Sequence, residues 1–314
     1  MKQITQSRND NLKLAIAAIL ITAFVLSLGD ALIKQESATL PLWQIFVMRS
    51  VIATPFLVYF IRIRTCTTSI RPDRFGWTIL RSLLLAIMWA AFYLALPHVP
   101  FSIAAASLYT APLFIALFAA LLIGDQVGWK GWIAILLGFI GVLLILQPQA
   151  NDFNAYALLP IISAICYALA MIITRSKCEK EKPLILSLWL NLAFVGVGSL
   201  AILIIQIWEP SPASMAANPF LLGEWKPMWI DEWRAMAFLA IIIVIASVGT
   251  AIAYQSGPSS IIATFDFSYV AYVVIWGILL FGEVPDFVTI IGILLIVGGG
   301  ILASILHEGG NLND

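Results

Sequence analysis

One stretch of this chain occurs twice, with its two copies 158 positions apart. The first copy lies within residues 100–141 and the second within residues 258–299, and the two align without a gap. The residues of the first copy that recur unchanged are Pro100, Ser102, Ile103, Ala105, Leu121, Leu122, Gly124, Ile135, Leu136, Leu137 and Gly141. The acid Asp125 falls on the acid Glu283. Such duplication predicts two similar structural units.

Long uncharged segments predict that both units lie in a lipid bilayer. The 314 residues are 61% hydrophobic and 11% charged, whereas soluble domains average about 45–50% and about 25%. A membrane-spanning helix needs roughly 20 mostly apolar residues. By this criterion the predicted helices are 12–34, 41–61, 75–96, 101–123, 131–148, 154–174, 184–207, 234–255, 259–281 and 287–306. The fold class expected is therefore an all-α membrane protein with ten transmembrane helices.

Basic residues orient the predicted helices, because cytosolic loops are enriched in lysine and arginine. With the N-terminus in the cytosol, twelve of the seventeen basic residues lie on the cytosolic side and three on the other. Both termini are then cytosolic. Each unit, 12–148 and 154–306, holds five helices, and an odd number inverts the second copy relative to the first. Inverted repeats are common in secondary transporters, which bind substrate near the midplane and alternate access.

Several other classes of protein are disfavoured. Equal numbers of acidic and basic residues suggest no nucleic-acid partner. The two histidines and three cysteines form no metal-binding or HExxH pattern, and the sequence has no Walker motif, so we expect no enzyme, metal or cofactor. The first apolar segment lacks a cleavage site and predicts a retained helix rather than a signal peptide. A channel or a non-transporting membrane protein is the weaker alternative.

Residues 208–233 form the longest predicted loop, on the extracytosolic side. Trp225, Trp229 and Trp233 are spaced by four and would share a face if the segment were helical, although Pro227 interrupts it. Tryptophan is enriched at membrane interfaces, so the main hypothesis is an interfacial anchor. A substrate lid is the alternative.

The duplicated stretch resembles the EamA-type branch of the drug/metabolite transporter (DMT) superfamily. The residues that carry the resemblance are Pro100-x-Ser102-x-Ala104-Ala105-Ala106, Tyr109-x-x-Pro112 and Gly124-Asp125, then Pro258-x-Ser260, Gly282-Glu283, Gly292, Gly299 and, in the second helix, Arg49. The resemblance implies ATP-independent transport of small metabolites or drugs, inward or outward, in the plasma membrane (in bacteria, the inner membrane). This chain departs from the pattern at Asp125, where the family usually has Glu, and at Val270, the mate of Pro112.

Charged residues inside predicted helices are the first candidates for function, because each costs at least ~2.5–3.5 kcal/mol at mid-membrane. Depth along the helices groups Asp30, Lys34 and Arg49 in the outer leaflet, and Arg81 with Asp266 in the inner leaflet. The hypothesis is that Asp30 with Arg49 lines or closes the outer side of the transporter. Arg81 with Asp266 would do the same on the inner side. In addition, Arg49 could bind a carboxylate or phosphate, and Asp266 an amine or a coupled proton. The alternative is that Lys34 and Arg81 snorkel to headgroups while Asp30 neutralises Lys34.

Aromatic and small residues form a second group of candidates. Trp89, Tyr93, Tyr109 and Tyr269 could stack on a flat or cationic substrate, although packing is the commoner role of such rings. Both charge signs beside aromatic rings favour a zwitterionic or amphipathic substrate. Amino acid-like, vitamin-like and nucleoside-like metabolites, import and export, and proton coupling and exchange all stay open. The glycines that predict close helix packing, within a protomer or in an oligomer, are Gly138, Gly141, Gly292 and Gly299.

Overall fold

The structure is a computed structural model, and every regular element in its described part is a helix. It describes residues 12–65, 70–108, 110–118, 133, 136–137, 140–141, 143–144, 154–257, 262, 265–266 and 268–310. The helices are α1 (Leu12–Glu36), α2 (Leu42–Thr65), α3 (Phe75–Ala95), α4 (Phe101–Leu108), α5 (Ala111–Phe118), α6 (Leu159–Ser176), α7 (Pro183–Trp208), α8 (Pro212–Ala217), α9 (Pro219–Leu222), α10 (Ile230–Ser256), α11 (Ser268–Phe281) and α12 (Phe287–Gly310). A short 3-10 turn, Ala155–Leu158, precedes α6.

Six helices are long and apolar enough to cross a membrane. They are α1, α2, α3, α6 with its preceding turn, α7 and α10. α4 with α5, α11, and the first part of α12 are shorter apolar helices. The all-helical class is thus confirmed for the described residues and six helices could span a membrane, whereas ten spanning helices stay a prediction. The predicted fifth helix, 131–148, lies largely outside the described residues.

Helices from the first half of the chain pack mainly on helices from the second half. α1 lies against α10 and α11, α3 against α6, and α2 against α7. Small residues allow the α1–α10 contact: a Cβ atom at Gly29 would meet the side chain of Ile242, and one at Gly249 would meet Thr22. This close approach aligns the middle of α1 with the middle of α10, where the central cavity lies.

The two ends of the bundle are called the Lys34 end and the Arg175 end, after a basic residue at each. The Lys34 end holds the C-terminus of α1 and the turn between α11 and α12. The Arg175 end holds the C-termini of α6 and α10. Gly282 has a φ of +66°, a left-handed conformation that glycine adopts at little cost, and Glu283 N then donates to Gly277 O at 3.0 Å. This turn fixes the direction in which Glu283 leaves α11.

The 208–233 loop lies against the Lys34 end and is bonded to α2. Gln44 and Lys226 exchange two hydrogen bonds, at 2.7 and 2.9 Å, and Trp43 Nε1 donates to Leu221 O at 2.9 Å. α10 begins only at Ile230, so Trp225 precedes the helix and the three tryptophans do not share one continuous helical face. Trp229 is 76% exposed. The interfacial-anchor hypothesis stays a prediction, now for exposed rings on two segments.

Asp286 caps α12, and its replacement by alanine is expected to weaken the first turn. Asp286 Oδ1 accepts from Thr289 N at 2.8 Å, and the hydrogen bonds from Thr289 hold the pKa of Asp286 below its usual value. Loss of such a cap costs about 1 kcal/mol. Because the native pKa is lowered, the charge contributes above the ordinary pKa of 3.8 and is lost as the pH falls through the native value.

Thermal unfolding in detergent at pH 7 and pH 3 measures this effect. Asp286→Ala should lower the unfolding temperature at pH 7 and differ less from the parent at pH 3. Asp286→Asn is the matched control, since it keeps the accepting oxygen without the titrating charge. Equal destabilisation by alanine at both pH values would show that the charge contributes nothing to the cap.

Candidate functional site

A cavity lies at the centre of the bundle, between helices of both halves of the chain. Its walls come from α1, α3, α4, α5, α6, α7, α10 and α11, together with Asp266 just before α11. Most of its lining is apolar. The charged, hydroxyl-bearing and aromatic side chains on its walls are Thr22, Arg81, Trp89, Tyr167, Ser247, Thr250, Asp266 and Tyr269. An apolar pocket with a few polar groups is typical of a small-molecule site.

Asp266 presents a buried carboxylate on one wall of this cavity. It is only 5% exposed. Tyr167 of α6 donates to its Oδ2 at 3.1 Å, and Tyr254 of α10 donates to the same oxygen at 3.4 Å. Two phenols therefore orient the carboxylate from two helices. A buried carboxylate so oriented can bind a cationic group or a proton.

Arg81 presents the opposite charge in the same cavity. It is 1% exposed and leaves α3 near its first turns. Its Nε donates to Thr174 Oγ1 at 2.7 Å, and its Nη1 lies 3.5 Å from Leu186 O. These partners belong to α6 and α7, so the guanidinium points into the bundle. The structure thus brings the predicted inner group, Arg81 and Asp266, to one cavity, each with its own partners.

The predicted outer group is connected through tyrosines. Asp30 is 1% exposed, and its two oxygens accept from Tyr93 at 2.7 Å and from Tyr269 at 2.6 Å. Arg49 Nη1 lies 3.5 Å from the hydroxyl of Tyr93. Arg49 and Asp30, which the sequence grouped in the outer leaflet, are therefore joined through a shared phenol. Tyr269 links this network to the cavity that it lines.

Arg49 lies in a box of aromatic rings. Its guanidinium carbon is 4.6 Å from the ring centre of Phe194, 4.9 Å from that of Phe46 and 5.6 Å from that of Tyr93. Cation–π attraction stabilises an arginine in such a place. Its Nε and Nη2 have no hydrogen-bond partner among the described residues. The buried charge is thus held largely by rings, with two donors unused.

Lys34 pairs with Glu283, so the alternative in which Asp30 neutralises Lys34 is wrong in this structure. Lys34 Nζ lies 2.5 Å from Glu283 Oε1 and 3.4 Å from Val99 O, and 5.0 Å from the ring centre of Phe281. The other oxygen of Glu283 accepts from Phe101 N at 2.6 Å. Glu283 therefore joins α1, the start of α4 and the α11–α12 turn. The repeat mate of Glu283, Asp125, lies outside the described residues.

The predicted aromatic candidates divide between the cavity and the outer network. Trp89 and Tyr269 line the cavity, while Tyr93 stacks on Trp89 with ring centres 5.1 Å apart and bonds to Asp30. Tyr109 lies outside the described residues. The sequence did not single out Tyr167 or Thr174, which position the two cavity charges. A tyrosine in the middle of a mostly aliphatic helix was the only available signal for Tyr167.

The predicted packing glycines are only partly described. Gly141, Gly292 and Gly299 are buried, whereas Gly138 lies outside the described residues. α12, which carries Gly292 and Gly299, contacts α4 and α5. Packing of the predicted fifth and tenth helices on each other stays a prediction. Within the described residues no cluster of three or more His, Cys, Asp or Glu side chains could hold a metal ion.

Comparison with solved structures supports the fold. One crystal structure superposes with a TM-score of 0.65 at 20% sequence identity, covering 96% of this chain and all of that chain. At this identity the similarity concerns the fold alone.

Named relatives are transporters of different small molecules. The pseudopaline exporter CntI of Pseudomonas aeruginosa is 25% identical over 301 residues, which are 96% of this chain and 99% of the relative. A riboflavin transporter of Vibrio cholerae is 28% identical over 252 residues, 78% and 77% of the two chains. An S-adenosylmethionine uptake transporter of Rickettsia prowazekii is 27% identical over 222 residues, 68% and 73% of the two chains.

The model of the EamA-like transporter family matches residues 13–147 and again residues 154–305. Together the two matches cover nearly the whole chain, and the six long apolar helices agree with a multi-pass membrane protein. The chain therefore belongs to the EamA-like transporter family, and it is a transporter, not an enzyme.

Proposed function

We propose that the chain is a secondary active transporter that moves a small zwitterionic or amphipathic metabolite by alternating access. The observation that carries the proposal is the central cavity that both halves of the chain line, with Arg81 and Asp266 on its walls. Buried charges of opposite sign in one apolar pocket suit a ligand that carries both signs. The rings of Trp89 and Tyr269 add surfaces for a flat or cationic portion.

The proposed architecture is two inverted five-helix repeats, 12–148 and 154–306, with ten spanning helices and both termini in the cytosol. The cross-pairing of α1 with α10 and of α3 with α6 supports it, since repeat symmetry exchanges these two pairs. The distribution of basic residues then puts the Lys34 end outside the cell and the Arg175 end in the cytosol. In a bacterium the membrane would be the inner membrane.

The substrate class is proposed from the site and from the relatives together. Riboflavin, S-adenosylmethionine and pseudopaline are the molecules that the names of three relatives give. A vitamin-like, nucleoside-like or amino acid-like metabolite fits the charged and aromatic lining. Both import and export are candidate directions. Export is a candidate because the similarity to the pseudopaline exporter extends over 96% of this chain.

Counterflow in proteoliposomes tests the function. Vesicles loaded with one unlabelled metabolite should accumulate its labelled form transiently, and we expect this for a zwitterion carrying an aromatic or aliphatic portion. Protein-free vesicles are the control. Flux with an imposed pH gradient separates proton coupling from exchange. Strong flux of a neutral sugar, with no counterflow for any zwitterion, would contradict the proposed substrate class.

A further inference from the structure

The C-terminal residues of α1 and α6 make equivalent contacts at opposite ends of the bundle. Lys34 Nζ contacts the carbonyl oxygen of Val99, and Arg175 Nη1 donates to the carbonyl oxygen of Gly257 at 2.9 Å. Val99 and Gly257 are 158 positions apart, which is the spacing of the duplicated stretch. Lys34 and Arg175 are 141 positions apart, and the same shift aligns Thr22 with Ser163. Each repeat thus holds a basic residue at the same place.

The Lys34 end shows what such a basic residue does. The contact with Val99 lies within the first half of the chain, but the ion pair at 2.5 Å is made to Glu283 of the second half. Glu283 also accepts from Phe101 N, which begins α4 of the first half. One carboxylate of the second half is therefore bonded to two elements of the first. Any movement that separates the halves at this end must break both bonds.

We propose that the Lys34–Glu283 pair is a latch that closes the cavity toward the Lys34 end of the transporter. This inference rests on the proposed alternating access. Lys34 and Glu283 side chains are 12% and 23% exposed, so the pair is only partly screened by solvent. The rings of Phe101 and Phe281 lie beside the lysine and exclude water from one side. The latch stabilises the closed arrangement, and its loss shifts the population toward the open one.

The labelling rate of a cysteine in the cavity reports whether the latch is closed, and this measurement needs no known substrate. Ala111 lines the cavity, so Ala111→Cys in a chain whose three native cysteines are replaced by alanine gives a single reporter. A membrane-impermeant methanethiosulfonate is added to the extracytosolic side of sealed, oriented vesicles. We expect Lys34→Ala and Glu283→Gln each to raise the labelling rate about fivefold, as for loss of one partly exposed ion pair. The reversed double variant, Lys34→Glu with Glu283→Lys, should label more slowly than either single reversal.

Two control variants test whether the change in labelling rate is specific to the Lys34–Glu283 pair. Arg234 pairs with Asp231 in an exposed i,i+3 bridge near the same end, and Arg234→Ala should leave the rate unchanged. Arg175→Ala removes the equivalent basic residue at the opposite end and should not raise labelling from this side. Unchanged labelling in both Lys34→Ala and Glu283→Gln, in protein that elutes as a monodisperse peak, would overturn the latch. A labelling shift in a chain that transports nothing would instead retain the latch and refute the proposed transport.

Discussion

Asp266→Asn is expected to reduce counterflow of a zwitterionic or cationic substrate at least tenfold. The substitution keeps the size of the side chain but removes the negative charge that the hydroxyls of Tyr167 and Tyr254 orient in the cavity. A hydrogen bond to a charged group contributes about 1.5–3 kcal/mol, which corresponds to a factor of ten or more in affinity. The measurement is counterflow, with binding of the same substrate measured separately in detergent.

The controls for this prediction separate charge from folding and binding from coupling. Asp231→Asn removes an exposed acid and should transport normally. Tyr254→Phe removes the 3.4 Å hydrogen bond to Asp266 but keeps the carboxylate, so it should have a smaller effect than Asp266→Asn. If binding is kept in Asp266→Asn while dependence on the pH gradient is lost, the carboxylate carries a coupled proton. Counterflow equal to that of the parent chain would remove Asp266 from the site.

A charge exchange tests whether Arg81 and Asp266 work together in the cavity. Arg81→Asp with Asp266→Arg should transport better than either single variant if the two charges complement one another across the cavity. Arg81 is bonded to Thr174, so the exchanged side chains will not regain every contact and recovery should be partial. A double variant no better than the singles would contradict the functional pairing.

Asp30→Ala is expected to be the most destabilising single substitution in the outer network. Its two oxygens accept from Tyr93 and Tyr269, and both phenols are buried. Loss of the carboxylate acceptor costs about 1–3 kcal/mol for each of the two hydroxyls, so about 2–6 kcal/mol of unfolding free energy should be lost. Chemical unfolding in detergent micelles, followed by tryptophan fluorescence, measures the loss.

Asp30→Asn is the matched variant for this network. It retains one accepting oxygen and should therefore fall between the parent and Asp30→Ala. A double-mutant cycle of Asp30→Ala with Tyr269→Phe should show non-additive losses, because the two changes remove the same hydrogen bond. Asp231→Ala, at an exposed acid, should change stability by no more than about 0.5 kcal/mol. Strict additivity in the cycle would show that the bond contributes nothing.

The sequence predicted the charged residues better than it predicted their partners. The cost of a charge in a membrane made Asp30, Arg49, Arg81 and Asp266 conspicuous, and all four are buried in the bundle. Their leaflet could be estimated from the rise of a helix. The rotation of each helix about its own axis could not be estimated, because these helices are apolar on most faces and their hydrophobic periodicity is weak. The role of Tyr93 as a bridge between Asp30 and Arg49 is therefore visible only in the packing of α1, α2 and α3.

Lys34 shows the limit of local spacing. Asp30, four residues away on the same helix, was the partner for Lys34 in the alternative hypothesis, but the sequence-distant Glu283 forms the pair. The duplicated stretch had already marked Glu283 as the mate of Asp125. What the sequence could not supply was the contact between the α11–α12 turn and the end of α1, which depends on how the two halves pack.

Tyr269 belongs to two systems at once, because its ring lines the cavity and its hydroxyl donates to Asp30 at 2.6 Å. A ligand in the cavity that reached this hydroxyl would therefore be thermodynamically linked to the Asp30 network through one proton donor. A ligand that competes for that hydroxyl weakens the network by a certain free energy. By reciprocity, any event that neutralises or displaces Asp30 changes the affinity of that ligand by the same free energy.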